Sequence, residues 1–335
     1  MYELTLVDSD TGLFRACKFV QEDFVVVKNN ITEEVMEFPT QTSFWGHHGK
    51  KAGGWLAEEN IKRDLRGLPA YTPEDFMMSQ VMSRLKPDIE NHIEKAIENF
   101  DLFVGKVKAA GYSKDYRLFI GGEGNFRYAE AELIPYKHGR SDKPIVFQEV
   151  KERIIKKYKS KIILAYDVET DDKLSEWGWV NYQHYKQTGE WRWLLGYVDK
   201  DLKQIISPYY NPYDEEDKSI TIPTPFDCAK AFATQCLMGD KSTDNIQGLK
   251  GIGEAKAAKI LEGATNPKEL FERVVEAYKS FYGIEKKEVE GHRGVLNWNY
   301  LDFLQDSANL LWLRRKDEKF CVRDFLTKLG VEYER

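Results

Sequence analysis

The feature that most constrains this chain is the stretch Leu237–Leu261, LMGDKSTDNIQGLKGIGEAKAAKIL. An apolar run ends in two aspartates four residues apart, Asp240 and Asp244, and a hydrophobic-glycine repeat then leads into an Ala- and Lys-rich helix. Glycine lets a backbone approach a ligand closely, and the free N–H groups at the start of a helix can hold a phosphate. The pattern predicts carboxylates for a metal beside amides for a phosphate, although Gly-rich turns between helices also occur without any ligand.

The same stretch supplies the candidate contacts to a nucleic-acid backbone. Two glycines would form the turn, and three lysines would place positive charge around it. Carboxylates and a phosphate cradle side by side indicate a metal-dependent enzyme that acts on nucleic acid. The candidate DNA-binding residues are Lys250, Gly251, Gly253, Lys256 and Lys259.

Composition is typical of a globular chain. Its 335 residues are 42% hydrophobic and 31% charged, which predicts one large domain or a catalytic domain with a helical lobe. No apolar run reaches membrane-spanning length, no signal-peptide pattern is present, and the four cysteines form no CxxC pair, so a reducing, cytoplasmic location is expected. The net charge of −6 argues against a protein that coats DNA, but not against a nuclease, because carboxylates that bind metal lower the formal charge.

Apolar runs followed by acids predict the catalytic core. Runs at Glu3–Asp8, Tyr116–Ile120, Ile162–Tyr166 and Trp191–Val198 are typical of strands, with helical stretches between them. We therefore predict an α/β fold with a mostly parallel central sheet, helices on both faces and a rim of carboxylates at the carboxyl ends of the strands. Helix capping would explain some of these acids singly. The candidate metal ligands are Asp8, Glu169, Asp171, Asp172, Asp199, Asp201, Asp240 and Asp244.

The chemistry of this rim selects the ion. Carboxylate oxygens without Cys or His favour Mg²⁺, with Mn²⁺ as a substitute, over zinc. Two such ions would activate a water and stabilise the leaving oxygen of a phosphodiester.

Other segments are predicted to be mainly helical. Pro73–Gly105 has apolar residues at helical spacing, and Lys151–Lys161 carries six basic residues in eleven. Residues 265–335 are also expected to be helical.

The segment 20–73 is the hardest to interpret. Phe24–Val27 predicts a strand, and Ser43–Trp55 predicts a flexible Gly-rich loop. His47 and His48 in that loop could bind a metal, but an exposed pair of histidines more often does not.

In chain order, these motifs resemble those of the 5′-nuclease superfamily: bacteriophage 5′–3′ exonucleases, flap endonucleases and the 5′-nuclease domain of bacterial DNA polymerase I. The opening stretch is similar to the family's helix–three-turn–helix, here about 230–262, with one extra residue between the aspartates. The other blocks that resemble the family are Leu6–Asp8 with Phe14 and Arg15, Phe126–Arg127 with Tyr136–Arg140, Val168–Asp172, and Val198–Leu202.

The resemblance implies a PIN-like 5′-nuclease fold. A metal-binding core would span residues 1–205, with an arch region at about 121–161, and a helical DNA-binding region would span 206–335. The first four rim acids would lie near one metal and the last four near a second. The resemblance assigns contact with the scissile phosphate to Lys137 and Arg127, adds Arg140 from the same basic motif, and allows a K⁺ ion at the helix–three-turn–helix.

One position departs from the family. Gly122 stands where the family places an acid after its second strand, and Glu123, one residue further on, is a candidate substitute. If the ligand is lost, Gly122→Asp is expected to raise activity at low Mg²⁺. The departure also leaves open a catalytically weakened, structure-specific DNA-binding protein of the same fold. A third alternative is an endoribonuclease of the related small nuclease fold.

The leading hypothesis is a metal-dependent 5′–3′ exonuclease and structure-specific flap endonuclease of replication or repair, in keeping with a phage replication gene. Its substrates would be DNA with 5′ ends, flaps or nicks, or an RNA–DNA hybrid. Recognition would depend on the backbone and the shape of the junction rather than on bases. A polymerase or a single-strand-binding protein is an expected partner.

Overall fold

The computed structural model describes residues 2–47, 53–140, 142–214, 219–316 and 318–334. His48, one of the two histidines considered as metal ligands, lies outside these ranges. His47 is exposed.

The strands and helices alternate along much of the chain. The strands are β1 (Leu4–Asp8), β2 (Gln21–Asn29), β3 (Val35–Phe38), β4 (Phe76–Met78), β5 (Met82–Leu85), β6 (Asp115–Gly121), β7 (Ile162–Ala165), β8 (Trp193–Gly196), β9 (Tyr209–Tyr210), β10 (Gly239–Asp240), β11 (Ile246–Gln247), β12 (Lys287–Gly291) and β13 (Gly294–Trp298). The helices are α1 (Ser9–Phe19), α2 (Gln41–Trp45), α3 (Trp55–Leu65), α4 (His92–Gly111), α5 (Phe126–Glu130), α6 (Phe147–Lys157), α7 (Thr170–Thr188), α8 (Pro225–Met238), α9 (Glu254–Leu261), α10 (Pro267–Tyr282), α11 (Tyr300–Leu311) and α12 (Val322–Leu329). None of the helices in the described ranges is long and apolar enough to cross a membrane.

The chain divides into two compact units, each with its own sheet. The first unit is made of Met1–Gly12, Asp101–Asp142 and Ile155–Arg335, and the second of Leu13–Phe100 and Lys143–Ile154. The functional division expected between residues 205 and 206 falls within the first unit and stays a prediction.

The central sheet of the first unit has the strand order β7-β6-β1-β8-β9, and all its neighbouring strands are parallel. Its strands are apolar runs because parallel sheets are buried on both faces: Leu6, Val7, Leu118 and Leu195 are fully buried. The predicted α/β fold with a mostly parallel sheet is confirmed. Since the strands run the same way, β6, β1 and β8 end at one edge of the sheet.

The C-terminal part of the first unit is mainly helical, as predicted. Helices α8 to α12 surround an apolar cluster that includes Phe232, Phe271 and Leu304. The prediction of helix throughout 265–335 is wrong in one place, where β12 and β13 form an antiparallel hairpin. His292 and Arg293 form the turn, flanked by Gly291 at the end of β12 and Gly294 at the start of β13.

The second unit is built around β2, which contains the predicted strand Phe24–Val27. β2 pairs antiparallel with β3, β4 and β5, and Val25, Val27, Phe44 and Phe76 form the buried core.

Two predictions in this unit need correction. Pro73–Gly105 is α-helical only from His92 onward, because a short 3₁₀ helix at Pro73–Asp75 is followed by the strands Phe76–Met78 and Met82–Leu85, which hydrogen-bond to β2. The run of apolar residues at helical spacing in these strands is too short to favour a helix over the backbone hydrogen bonds of a sheet. The predicted loop Ser43–Trp55 begins inside α2, which Thr40 initiates with a capping box, and ends at the first residue of α3.

Candidate functional site

Asp8 lies at the carboxyl end of β1 and is the most deeply buried acid of the predicted rim. Its side chain is 1% exposed, and its Oδ1 accepts a hydrogen bond from the N–H of Asp10 at 3.2 Å. Its Oδ2 is buried and has no hydrogen-bond partner. A buried carboxylate oxygen without a partner is costly unless something positive reaches it.

Asp8 and Asp171 lie within electrostatic range of each other. Burial, followed by the charges of Asp10 and Asp199, raises the pKa of Asp8 to about 7. Burial, followed by the charges of Asp8 and Asp199, raises the pKa of Asp171 well above its usual value. The structure therefore brings the ends of β1 and β8 and the first turn of α7 into one acidic region.

Asp201 extends this region toward the helices. Its N–H donates to the carboxylate of Asp199 at 3.0 Å, and the amide nitrogen of Gln235 donates to its Oδ1 at 2.6 Å. Burial, followed by the charges of Asp199 and Asp240, raises the pKa of Asp201 to about 7. Asp240 is buried directly after α8, where its carboxylate accepts a hydrogen bond from the N–H of Thr243.

Glu169 and Asp244 are held together by a tyrosine and a lysine. The hydroxyl of Tyr136 lies 2.7 Å from Asp244 and 3.1 Å from Glu169, so its proton can bond to either carboxylate. The ammonium of Lys137 forms an ion pair with Glu169 and lies 3.6 Å from Asp244. Burial would lower the pKa of Lys137, but the two carboxylates outweigh it and raise the pKa. Conversely, burial favours a higher pKa for Glu169, but the charges of Arg127 and Lys137 lower it.

Arg127 is 1% exposed, and its guanidinium group donates hydrogen bonds to several buried acceptors. It donates two hydrogen bonds to Asp172, at 2.6 and 2.9 Å, one to the carbonyl of Leu310 and one to the carbonyl of Trp312. Arg127 and Asp172 therefore neutralise each other inside the fold. This geometry favours a structural pair over the predicted phosphate contact and metal ligand.

Arg140 and Glu123 are both exposed in this structure. Arg140 lies in the turn that follows Lys137, where its N–H lies 3.4 Å from the Lys137 carbonyl. Lys137 is therefore in close contact with rim acids, while Arg140 is free to face solvent.

Gly122 cannot carry an acid without a change in the backbone. Its N–H donates to the carbonyl of Ala165 at 2.6 Å, and a Cβ at this position would lie 2.6 Å from that same oxygen and 2.9 Å from the ring of Tyr166. The expectation that Gly122→Asp simply restores a ligand conflicts with this packing.

The candidate DNA-binding residues lie in the loop between α8 and α9 and on α9 itself. Gly239–Asp240 and Ile246–Gln247 pair antiparallel, and the loop then continues to Gly253, which precedes α9. Gly251 has a φ of +81°, a conformation that favours glycine, and its carbonyl accepts a hydrogen bond from Lys256 at 2.8 Å. The five predicted contacts are all exposed: Lys250, Gly251, Gly253, Lys256 and Lys259.

The residues of the rim fit a divalent cation by their chemistry. They offer hard oxygen donors, an unpartnered buried oxygen on Asp8, and pKa values raised by burial and by mutual repulsion. In the part of the chain that the structure describes, no three of these side chains are already arranged around one point. The rim is therefore a group of neighbouring carboxylates rather than a closed metal-binding cage.

Sequence reasoning did not select two residues that hold the site together. Asp10 contacts the ends of β1 and β6, and Gln235 bonds Asp201. Asp10 lies two residues after Asp8 at the end of the first apolar run, and this position is the signal that could have selected it. Gln235 carried no signal.

Comparisons with known proteins give a short curated match and several similar structures. DNA polymerase I of Rhizobium leguminosarum is 39% identical over 84 residues, which cover 23% of this chain and only 8% of that protein. No protein-family model matches the chain.

Three of the similar structures come from T5. A T5 protein co-crystallised with metal ions has a TM-score of 0.40 and 15% identity, over 64% of this chain and 79% of that one. A mutant of the T5 5′-exonuclease has a TM-score of 0.39 and 14% identity, over 64% and 78%. A bacteriophage T5 flap endonuclease in a pseudo-enzyme–product complex with DNA and metal ions has a TM-score of 0.39 and 11% identity, over 92% and 98%.

Proposed function

We propose, taking as premise the similarity of this chain to the 5′-nuclease superfamily, that it is a divalent-metal-dependent 5′–3′ exonuclease and structure-specific flap endonuclease. It would hydrolyse phosphodiesters of DNA at 5′ ends, flaps or nicks, or of an RNA–DNA hybrid. A polymerase or a single-strand-binding protein is a proposed partner from the family resemblance alone.

The observation that carries this proposal is the buried, unpartnered Oδ2 of Asp8 within a group of acids that repel one another. Such a group is unstable without compensation, and a divalent cation is the compensation that suits carboxylates. Mg²⁺ is the proposed ion, with Mn²⁺ as a substitute.

The proposed ligands include four acids whose charges already act on one another: Asp8, Asp171, Asp199 and Asp201. Bound there, divalent ions would supply an activated water for attack on the phosphodiester and would neutralise charge on the leaving oxygen. Asp240 is proposed to complete the second site.

Glu169 and Asp244 are proposed to join the metal sites when substrate enters. The ammonium of Lys137 now neutralises both, and a phosphate would attract it away as a point charge. Arg140 is proposed to bind the same phosphate from the exposed turn. Arg127 is proposed to position the first turn of α7 through Asp172 instead.

The loop before α9 is proposed to grip duplex DNA through its backbone. Its lysines and exposed glycines would contact phosphates and carry no sequence preference. A K⁺ ion at this loop remains part of the proposal.

The test is a cleavage assay on a 5′-labelled flap and on a nicked duplex, with Mg²⁺, Mn²⁺ or EDTA. We expect cleavage with either ion, none in EDTA, and a loss of at least about 100-fold for Asp201→Asn, which removes a ligand charge while preserving side-chain shape. Asp324→Asn, an exposed acid on α12, is the matched control and should cleave normally. Cleavage that persists in EDTA would refute the metal mechanism.

A second candidate is a structure-specific DNA-binding protein with a weakened metal site. The observation that favours it is the pairing of Glu169 with Lys137 and of Asp172 with Arg127, which engages two predicted ligands. Binding of the flap without cleavage under every metal condition would select this candidate.

A further inference from the structure

The carboxyl end of β6 carries no acid of its own. The strand ends at Gly121, and Gly122 follows. β6 lies beside β1 in the sheet, and β1 ends in Asp8. The edge that bears the rim would therefore have a gap in its negative charge at β6.

Asp10 fills this gap from α1. Its Oδ1 and Oδ2 accept the N–H of Gly121 at 3.1 and 3.0 Å, and Oδ2 also accepts the hydroxyl of Thr170 at 2.5 Å. Its own N–H donates to Asp8. The carboxylate of Asp10 is thus fixed between the end of β6 and the first turn of α7.

The glycines at the end of β6 make this placement possible. A Cβ at Gly121 would lie 2.8 Å from Oδ2 of Asp10, and a Cβ at Gly122 would lie 2.6 Å from the carbonyl of Ala165. A side chain at either position would therefore displace Asp10 or strain the sheet. The space beside β6 is already occupied by the Asp10 carboxylate.

A second, independent observation concerns the neighbouring Asp8. Oδ2 of the neighbouring Asp8, on a side chain that is 1% exposed, has no hydrogen-bond partner. The charge of Asp10 acts on Asp8, so the two carboxylates share one electrostatic environment. Two like charges held together in this way are stabilised by a cation between or beside them.

We propose that Asp10 replaces the acid missing from the end of β6 and contributes its carboxylate to the first divalent-cation site. The inference rests on the proposed function, because it assigns a ligand charge to that same site. Glu123, the candidate substitute from the sequence, is exposed and takes no part in it.

The test measures Mn²⁺ affinity by calorimetry and by electron paramagnetic resonance, without DNA, on the full chain. Asp10→Asn keeps the shape and an acceptor for Gly121 but removes the charge, and we expect it to weaken Mn²⁺ binding about 10- to 100-fold. Glu123→Gln and Asp324→Asn are the controls, and both should bind Mn²⁺ as the unmodified chain does.

Thermal unfolding separates a ligand role from a purely structural one. If Asp10 only joins α1, β6 and α7, Asp10→Asn lowers the melting temperature while Mn²⁺ affinity stays unchanged, and the inference is overturned. If Asp10→Asn fails to fold, Asp10→Ser, a shorter acceptor, is measured in its place with the same expected loss of affinity.

The two proposals fail in different ways. If the unmodified chain cleaves flaps but binds Mn²⁺ no more tightly than Asp10→Asn does, only the role of Asp10 is refuted. An unmodified chain that binds no Mn²⁺ would refute both. Weaker binding in Glu123→Gln with unchanged binding in Asp10→Asn would assign the missing charge to Glu123 and overturn the inference.

Discussion

The guanidinium of Arg127 lies 2.6 and 2.9 Å from the two carboxylate oxygens of Asp172, and both side chains are almost completely buried. Because the same guanidinium bonds the carbonyls of Leu310 and Trp312, the pair ties the start of α7 to the end of α11.

Breaking this pair from one side should be costly. Arg127→Met leaves the buried Asp172 carboxylate without its counter-charge, bonded only to the N–H groups of Glu169 and Arg314, and we expect a loss of about 3–5 kcal/mol in the free energy of unfolding. Urea denaturation would measure it, with the exposed Arg66→Met within about 0.5 kcal/mol of the unmodified chain as control. A loss below about 1 kcal/mol would show that the pair contributes little.

From its sequence position, Gly122→Asp was expected to be beneficial, but the structure predicts that a side chain at Gly122 is harmful. Both Gly122→Ala and Gly122→Asp place a Cβ 2.6 Å from the Ala165 carbonyl, so we expect each to lose about 2 kcal/mol or more of stability. Gly105→Ala is the matched control: this exposed glycine in α4 has open space at its Cβ, and the change should stabilise the chain by about 0.5–1 kcal/mol. Differential scanning calorimetry distinguishes the two. This steric argument would be contradicted if the Gly122→Asp variant unfolded at the same temperature as the unmodified chain and cleaved faster at low Mg²⁺.

Lys137 should affect cation binding and cleavage in opposite directions. Lys137→Met removes the ammonium that now neutralises Glu169 and Asp244, so we expect Mn²⁺ to bind about 3- to 10-fold more tightly. The same variant should cleave a flap about 10- to 100-fold more slowly, because it loses a charge that would stabilise the phosphate. Calorimetry and single-turnover cleavage measure the two effects, with the exposed Lys319→Met as control. If both affinity and cleavage fall, Lys137 supports the fold rather than the substrate.

The loop before α9 should contribute to DNA binding through charge alone. Lys250→Ala, Lys256→Ala and Lys259→Ala should each weaken binding of a flap in EDTA and lower the slope of log affinity against log salt by about 1. Fluorescence anisotropy at several salt concentrations gives both values. The effect should be the same for flaps of unrelated sequence, and a sequence-dependent effect would indicate base contacts instead.

Asp306, outside the rim, provides a prediction about pH. Burial raises its pKa to about 6, although its carboxylate accepts the N–H of Glu132 at 3.0 Å. Because the pKa is higher in the folded chain than in the unfolded chain, the fold binds more protons between about pH 4 and pH 6, and stability falls as pH rises through that window. Asp306→Asn should remove this loss of stability. Compared with the unmodified chain, its free energy of unfolding should therefore be higher at pH 7.5 than at pH 4 by at most about 3 kcal/mol. Urea denaturation at both pH values tests it, and Asp324→Asn should show no such difference.

The strands of the central sheet could be predicted because a parallel sheet is buried on both faces. Its strands are continuous apolar runs such as Leu118–Ile120, which local sequence reveals. β5 and the β12–β13 hairpin were missed because their residues are largely exposed, and β4 was missed because it is only three residues long and depends on backbone pairing with the distant β2.

The rim acids could be identified because each follows an apolar run or begins a helix, but their pairing could not. Nothing near Asp172 in the sequence indicates Arg127, and nothing near Asp201 indicates Gln235, since both contacts form only when separate elements pack. Lys137 and Arg140 come from one motif, yet Lys137 contacts the acids while Arg140 faces solvent.

The contact between Asp10 and Gly121 joins residues 111 positions apart. A position-by-position comparison would therefore count the end of β6 as a lost functional position and would count Asp10 as an ordinary helix residue. Both judgements would miss that the Asp10 carboxylate, carried by α1, lies against the end of β6, so that this edge of the sheet bears a negative charge that the strand itself does not supply. For this chain, the positions of charged groups in the folded structure therefore say more about the site than the residue types found at single motif positions.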